Sequence, residues 1–286
     1  VAEYLQGALP QEEGRLFERV EGWWVQKASP NDFAEGGLVL DPDSLGDRRR
    51  SVPGRFLGSQ WLLALKPVYA MDLKTFARRA PLRQAGSVRE GGEGVVGMRL
   101  DEEAALTLVR DMCNAGKAMH RLGLVHRDIK PKNIMISMEG RPVLIDFGFT
   151  QSASKEVCIS QVRGEVKYVL AEDVVKLRGC QRGDCYAMGK SLFEAIYDEA
   201  PKPSDDSEKE YINAAAARRY SDEFRAKIAA QDATGRSRFA MSPKASEAIL
   251  GVLRGLVDKD TPLTFGQAAS MLPAPSEAAQ SLVEAR

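Results

Sequence analysis

Asp128 and Asn133 stand five positions apart in the run His126-Arg127-Asp128-Ile129-Lys130-Pro131-Lys132-Asn133, and a further acid follows in Asp146-Phe147-Gly148. Two acids and an amide at this spacing, joined by a short apolar stretch, form a constellation suited to phosphoryl transfer. That chemistry needs a carboxylate near an attacking hydroxyl and two oxygen ligands for a Mg²⁺ on the phosphates. Oxygen donors suit a hard cation, and nothing nearby offers a thiolate or imidazole cage. A lone Asp128 would read more simply as a helix cap or a turn residue; its neighbours argue for the chemical role.

Such groups must be held by regular structure. Asp101 is placed to cap a long helix, with Leu106, Val109, Cys113 and Met119 on one face and Gly123 at its end. That helix runs directly into Val125 and the loop. Upstream, the apolar runs Phe56-Leu57 and Trp61 to Leu65 have strand character, lead into Lys66-Pro67-Val68, and give way to a short helix opened by Asp72-Leu73. Gln11 to Val20 reads as a further helix. Residues 1–66 thus form one small unit, with a loop carrying the basic run Arg48-Arg49-Arg50, and 67–272 a larger, mainly helical one. The span Ala80 to Gly97 reads as a Gly- and Arg-containing insertion. Glu208 to Ala230 reads as a charged helical stretch, Ile249 to Val257 as an apolar helix, and 273–286 as a loosely attached tail.

The run from His126 to Asn133 matches H-R-D-x-K-P-x-N, and with D-F-G after it the chain resembles the eukaryotic-type serine/threonine protein kinases. The resemblance implies an α+β, protein-kinase-like bilobal fold, with a partial N-lobe and a mainly helical C-lobe. It implies transfer of the ATP γ-phosphoryl group to a protein Ser or Thr hydroxyl. Position by position, it makes Asp128 the base, Asn133 and Asp146 the Mg²⁺ ligands, and Lys130 the lysine that approaches the transferred group. It makes Leu65 the gatekeeper, sets Lys66 to Val68 against the adenine edge, Asp72 at the ribose and Met135 under the adenine ring. His126 and Phe147 become members of a stacked apolar column, His126 packed rather than shuttling protons, and Arg127 a partner for a phosphate or acid on the activation segment. Gly164, Tyr168 and Glu172 fall in place in G-T-x-x-Y-x-A-P-E. Asp184, in Asp184-Cys185-Tyr186-Ala187-Met188-Gly189, becomes the anchor of the backbone around His-Arg.

The departures are as specific as the matches. Glu165 replaces a Thr that would contact the catalytic Asp and Lys; an acid there is still within reach of Lys130. Pro262 occupies the position aligned with the family's Arg partner of Glu172, so a substitute partner or a solvated Glu172 is expected. The Gly-rich turn and the anchoring lysine strand have no match before the hinge. Val1 is not a start methionine, as expected of a fragment or a processed protein. Glu18 is the first candidate for the lysine-pairing glutamate, with Glu13 and Glu21 as rivals and a solvated acidic helix face as the alternative. Lys27, in Trp24-Val25-Gln26-Lys27, reads as a surface lysine. Gly92-Glu93-Gly94-Val95-Val96-Gly97 fits G-x-G-x-x-G but lacks a preceding strand and reads as a flexible insertion. These gaps motivate the alternative of a pseudokinase or scaffold; a small-molecule kinase is disfavoured by the Tyr168/Glu172 segment and the Asp184 helix. Glu18-Arg19-Val20, Asp32-Phe33 and Trp61-Leu62-Leu63 also resemble the thylakoid state-transition kinases of algae and plants, which implies a chloroplast.

A length of 286 residues with net charge +0 allows two lobes with real cores and gives no basic field for nucleic acid. No apolar run approaches a membrane span. The cysteines at 113, 158, 180 and 185 fit no metal-ligand spacing and read as reduced thiols, and Ser152, Ser154 and Ser160 read as ordinary loop serines or regulatory phosphosites.

Overall fold

The computed structural model describes residues 5, 7–18, 22–27, 60–65, 68–83, 98–153, 165–172, 180–198 and 214–274; in 22–27 and 60–65 it describes the backbone alone. Glu21, the run Arg48 to Arg50, Phe56-Leu57, Lys66, Gly92 to Gly97, Ser154, Cys158, Ser160 and Gly164 lie outside the described residues. So do Arg19, Val20, Asp32 and Phe33 of the narrower resemblance.

Helix α1 is a single turn, Gln11–Gly14, where the sequence predicts a helix over Gln11 to Val20. Beyond it the chain runs extended beside Leu144. The Glu18 N–H donates to the Leu144 carbonyl at 2.8 Å, and the Leu144 N–H donates to the Leu16 carbonyl at 2.8 Å. A strand edge offers these two backbone partners together with a pocket in which Phe17 is fully buried, and that outweighs continuing the helix. Glu18 is therefore not on a helix face, and Glu13 pairs instead with Arg121 at 2.5 Å on the surface.

Strands β1 (Gly22–Lys27) and β2 (Gln60–Leu65) form an antiparallel pair with Gly22 opposite Leu65 and Lys27 opposite Gln60. Lys27 consequently sits at the end of this ribbon away from Leu65, about 17 Å along the strand. Strand β3 (Met71–Asp72) leads into α2 (Leu73–Arg79), whose N-cap is Asp72. Ala80 is buried at the helix end, and Arg83 exchanges backbone hydrogen bonds with Ser237 at 2.8 and 2.9 Å. The start of the expected insertion thus belongs to the packed fold.

Helix α3 (Glu102–Arg121) is capped by Asp101 as expected, the carboxylate accepting from Ala104 N–H at 2.9 Å. It ends at Gly123, whose φ of 69° is one a glycine adopts without strain. Leu106, Val109, Cys113 and Met119 are all buried on it. Strands β4 (Leu124–Val125), β5 (Ile134–Ile136), β6 (Pro142–Leu144) and β7 (Gln151–Ser152) follow. β5 lies between β3 and β6, and β4 pairs with β7. Then come α4 (Gln181–Ile196), α5 (Ala214–Ala230), α6 (Pro243–Val257) and α7 (Phe265–Met271), the last two opened by side-chain caps from Ser242 and Thr264.

α4 is the central, almost wholly buried helix. Gly189 lets it approach α6 closely, since a Cβ there would meet Val257 Cγ1 at 2.8 Å. Arg238, 2% exposed, fastens α2 to the end of α4: its Nε donates to the carbonyls of Ala77 and Ala80, and its Nη1 to those of Glu194 and Ala195. The guanidinium thus caps two helix C-termini at once, and burial lowers its pKa to about 10. One apolar core runs from Phe17 through α3 and α4 to α6 and α7. A separate small one joins Val166 and Ala171 to Ala216 and Ala217 of α5. No helix among the described residues is long and apolar enough to cross a membrane.

Candidate active site

The hairpin register brings the site together. β5 and β6 pair with Ile134 opposite Leu144, and the Ile145 N–H donates to the Asn133 carbonyl at 3.0 Å. Asn133 and Asp146 therefore emerge side by side from the same end of the hairpin. Met135 lies opposite Val143 on one side and Asp72 on the other, which places it and Asp72 next to each other on the hinge side. Asp72 uses both carboxylate oxygens on Thr75, from the backbone N–H and the hydroxyl, each at 2.8 Å. The expected helix start at Asp72-Leu73 is what the structure has; that Thr75, three positions on, engages both oxygens was not foreseen. Val68 is 82% exposed, leaving an apolar side chain open beside the hinge. For Leu65 the backbone alone is described, at the end of β2.

The loop before the hairpin is fixed from behind. Asp184, near the start of α4 and 3% exposed, accepts from the His126 N–H at 2.7 Å and the Arg127 N–H at 2.9 Å. His120 Nε2 lies 3.1 Å from the same carboxylate, and its ring packs on Phe265 with centroids 4.9 Å apart. Arg127 is held at φ 71°, a conformation that costs a non-glycine residue about 1 kcal/mol or more and persists because the two carboxylate bonds enforce it. The expected anchoring role of Asp184 is what the geometry has; His120 was missed, being 64 residues away in sequence.

His126 is fully buried. Its Nδ1 accepts from the Asp128 N–H at 3.3 Å and its Nε2 donates to the Ile145 carbonyl at 3.0 Å, the pattern of a neutral imidazole. Burial pushes its pKa below the ordinary value, against the pull of Asp184. Phe147 stacks 5.4 Å from it and Phe17 6.1 Å from Phe147. The apolar column is there, and Phe17, unforeseen, extends it into the first segment.

Asp128 itself is 5% exposed. Asn133 Nδ2 donates to the Asp128 carbonyl at 2.8 Å and to its Oδ2 at 2.9 Å. Those two bonds fix the amide orientation and leave Asn133 Oδ1 as the acceptor face. Lys130 Nζ stands 3.1 Å from Asp128 Oδ2 and 3.7 Å from Glu165 Oε1, so the acid in place of Thr does meet Lys130. Asp146 takes φ 63°, a left-handed position that Asp tolerates, with Oδ1 accepting from the Gly148 N–H at 3.3 Å. Arg127 Nη1 reaches the Phe149 carbonyl at 3.5 Å, in the segment after D-F-G.

The segment 165–172 rests on other contacts. Tyr168 donates to Glu194 Oε2 at 2.6 Å. Lys190, 3.5 Å from Glu194, lies 4.4 Å from the Phe224 ring centroid, and burial lowers its pKa. Glu172 Oε2 is buried with no hydrogen-bond partner among the described residues, and the same is true of Arg225 Nη2. Arg225 sits over Tyr186, with Cζ 5.8 Å from the ring centroid, and the charges of both Arg225 and Glu172 act on that phenol. Glu172 Oε2 is thus not solvated; Arg225 on α5, whose Nε donates to the Val257 carbonyl at 2.9 Å, shares Tyr186 with it.

A family model for the protein kinase domain matches residues 91–272, more than half of the chain. The chain is also similar to the serine/threonine-protein kinase ULK3 of Xenopus laevis, 34% identical over 104 residues, which is 36% of this chain and 22% of that one. It resembles the serine/threonine-protein kinase PknB of Mycobacterium leprae at 32% over 102 residues, 35% of this chain and 16% of that one. It resembles PknL of Mycobacterium tuberculosis at 33% over 104 residues, 36% of this chain and 26% of that one. The aligned stretches span about a quarter or less of these relatives. With the loop, hairpin and anchoring helix in the arrangement described, the chain belongs to the protein kinase domain family, and its fold is the mixed bilobal one that family implies.

Proposed function

We propose that the chain is a serine/threonine protein kinase, taking the γ-phosphoryl group of ATP to a Ser or Thr hydroxyl of a protein. The observation that carries this reading is the cluster of Asp128, Asn133 and Lys130, each within 3.1 Å of its neighbour, with Asp146 at the end of the adjoining strand. The donor set fits Mg²⁺. Asn133 Oδ1 and the Asp146 carboxylate are two hard oxygens, the number a protein contributes when phosphates and water complete the shell. When bound, the metal would neutralise charge developing on the phosphates.

The chain's own groups supply the rest. Asp128, held by the Asn133 amide and the Lys130 ammonium, faces the acceptor hydroxyl, orients it and takes its proton. Lys130 offers its charge to the transferred group. His126, neutral and buried, supports the Asp128 backbone and moves no proton. On the nucleotide side, the family resemblance sets Val68 and Met135 against the adenine and Asp72 toward the ribose, with Leu65 and Lys66 as the further candidates there. Glu18, buried beside Leu144, remains the candidate partner for an anchoring lysine, from an extended segment rather than a helix. The similarity to enzymes named serine/threonine-protein kinases and the presence of Lys130 both favour Ser/Thr over Tyr acceptors.

The test is transfer of labelled phosphate from ATP and Mg²⁺ to peptides carrying Ser, Thr or Tyr. Label on Ser or Thr, reduced at least a thousandfold in Asp128→Asn, is expected. Nucleotide binding without label on any hydroxyl would instead favour the scaffold alternative.

A further inference from the structure

Glu165 puts a full negative charge where the resembled motif carries a neutral Thr. It comes to 3.7 Å from Lys130 Nζ, the same ammonium that lies 3.1 Å from Asp128 Oδ2. Two carboxylates therefore share one cation. With Thr at 165, the charges of Asp128 and Lys130 would cancel; with Glu165 these three described side chains carry one net negative charge beside the position where the acceptor hydroxyl must sit. All three side chains are mostly shielded from water, at 4% exposure for Asp128, 18% for Lys130 and 11% for Glu165. Charge in such a place is weakly screened and acts over several ångströms.

Among the described residues, two neighbouring cations make contacts elsewhere. Arg127 reaches toward the Phe149 carbonyl, and Lys167 lies 5.3 Å from the Tyr168 ring centroid. The charge is also fixed in place. Glu165 leads directly into the 3₁₀ turn Val166–Tyr168, which is packed on α5 through Val166 and bonded to α4 through Tyr168 and Glu194. It cannot drift away from the acceptor position without unpacking that turn.

We infer that Glu165 is a specificity-determining residue that selects Ser or Thr acceptors flanked by Lys or Arg and rejects acceptors flanked by Asp or Glu. A cation next to the acceptor supplies the second positive charge that the Asp128–Lys130–Glu165 group lacks. An anion there meets an uncompensated carboxylate, and like charges in juxtaposition discriminate more sharply than attraction alone. The inference rests on the protein-kinase reading and adds the class of substrate it takes.

The experiment uses the full chain and three peptides identical except for the residues beside one Thr: Lys, Ala or Glu. Two readouts are taken, kcat/KM for phosphate transfer and peptide affinity by fluorescence anisotropy with a non-transferable ATP analogue. The wild type is expected to prefer the Lys peptide over the Glu peptide by at least about tenfold, with the ratio shrinking as salt is raised. Glu165→Gln and Glu165→Thr should bring the ratio to within about threefold of unity, and Glu165→Asp should keep most of it. Retained nucleotide affinity in each variant confirms folding. An unchanged ratio in Glu165→Gln and Glu165→Thr, or a wild-type chain indifferent to the flanking charge, overturns the inference. If anisotropy shows the preference and its loss while no peptide is phosphorylated, the selection stands and the transferase reading fails.

Discussion

The rear of the catalytic loop and the segment ending at Glu172 are both fastened to α4, by different means. Behind the loop, one carboxylate, Asp184, accepts from two backbone N–H groups and faces His120, and the imidazole of His126 has both nitrogens engaged. In front, the segment rests on a small apolar patch with α5 and on the Tyr168–Glu194 bond, while Glu172 Oε2 and Arg225 Nη2 are buried without hydrogen bonds among the described residues. The first region follows its motif residue for residue. The second departs from it at Glu165, at the Pro usually before Glu172, and at the missing Arg. Phosphoryl chemistry tolerates little displacement of its groups, whereas a surface that meets a partner can be refitted. The departures concentrate where the substrate would dock.

The contrast can be broken from either side. Asp184→Ala strips the acceptor from two buried N–H groups, and at 1–3 kcal/mol for each orphaned donor it should cost about 3–5 kcal/mol in urea unfolding. A loss below about 1 kcal/mol would mean the rear anchor is dispensable. Arg238→Met leaves four helix-end carbonyls unpaired and should cost about 2–4 kcal/mol by the same measurement. It should also weaken nucleotide binding, because α2 and its hinge end lose their tie to α4.

His126 supplies a pH signature of the rear. Its pKa is depressed by burial below the ordinary 6.5, so the unfolded chain binds its proton first as pH falls. Its contribution is present above about pH 6.5 and is lost on acidification, at up to about 1.4 kcal/mol per pH unit. Urea midpoints taken between pH 8 and 5.5 should show this slope, and His126→Leu should flatten it; an identical slope in the variant would assign it to other groups. The smallest effect is expected in front. A double-mutant cycle of Glu172→Gln with Arg225→Met should return a coupling of about 1 kcal/mol, against zero if Arg225 does not serve Glu172.

The same contrast governs what the sequence made legible. Helix α3 could be read with its cap, its buried face and its terminal glycine, because all three signals are local. The loop and D-F-G carried the site, and the reach of Glu165 to Lys130 followed from knowing what the displaced Thr would touch. The first segment was misread as one helix: its local pattern says nothing of the Leu144 strand edge, more than a hundred residues on, that draws Leu16 to Glu18 into extended form. Arg238 was invisible for the same reason, since its partners Ala77 and Ala80 are 161 and 158 residues away. Asp72 was read as the opener of α2, and its use of both oxygens on Thr75 was the part left out.

The division of labour between Asp128 and Asp146 is the centre of this account, and Mg²⁺-dependent binding of an ATP analogue, measured by calorimetry on the full chain, tests it most directly. The account predicts micromolar, Mg²⁺-dependent affinity that Asp146→Ala abolishes and Asp128→Asn leaves within a few fold of the wild type. Equal loss in the two variants, or binding indifferent to Mg²⁺, would contradict it.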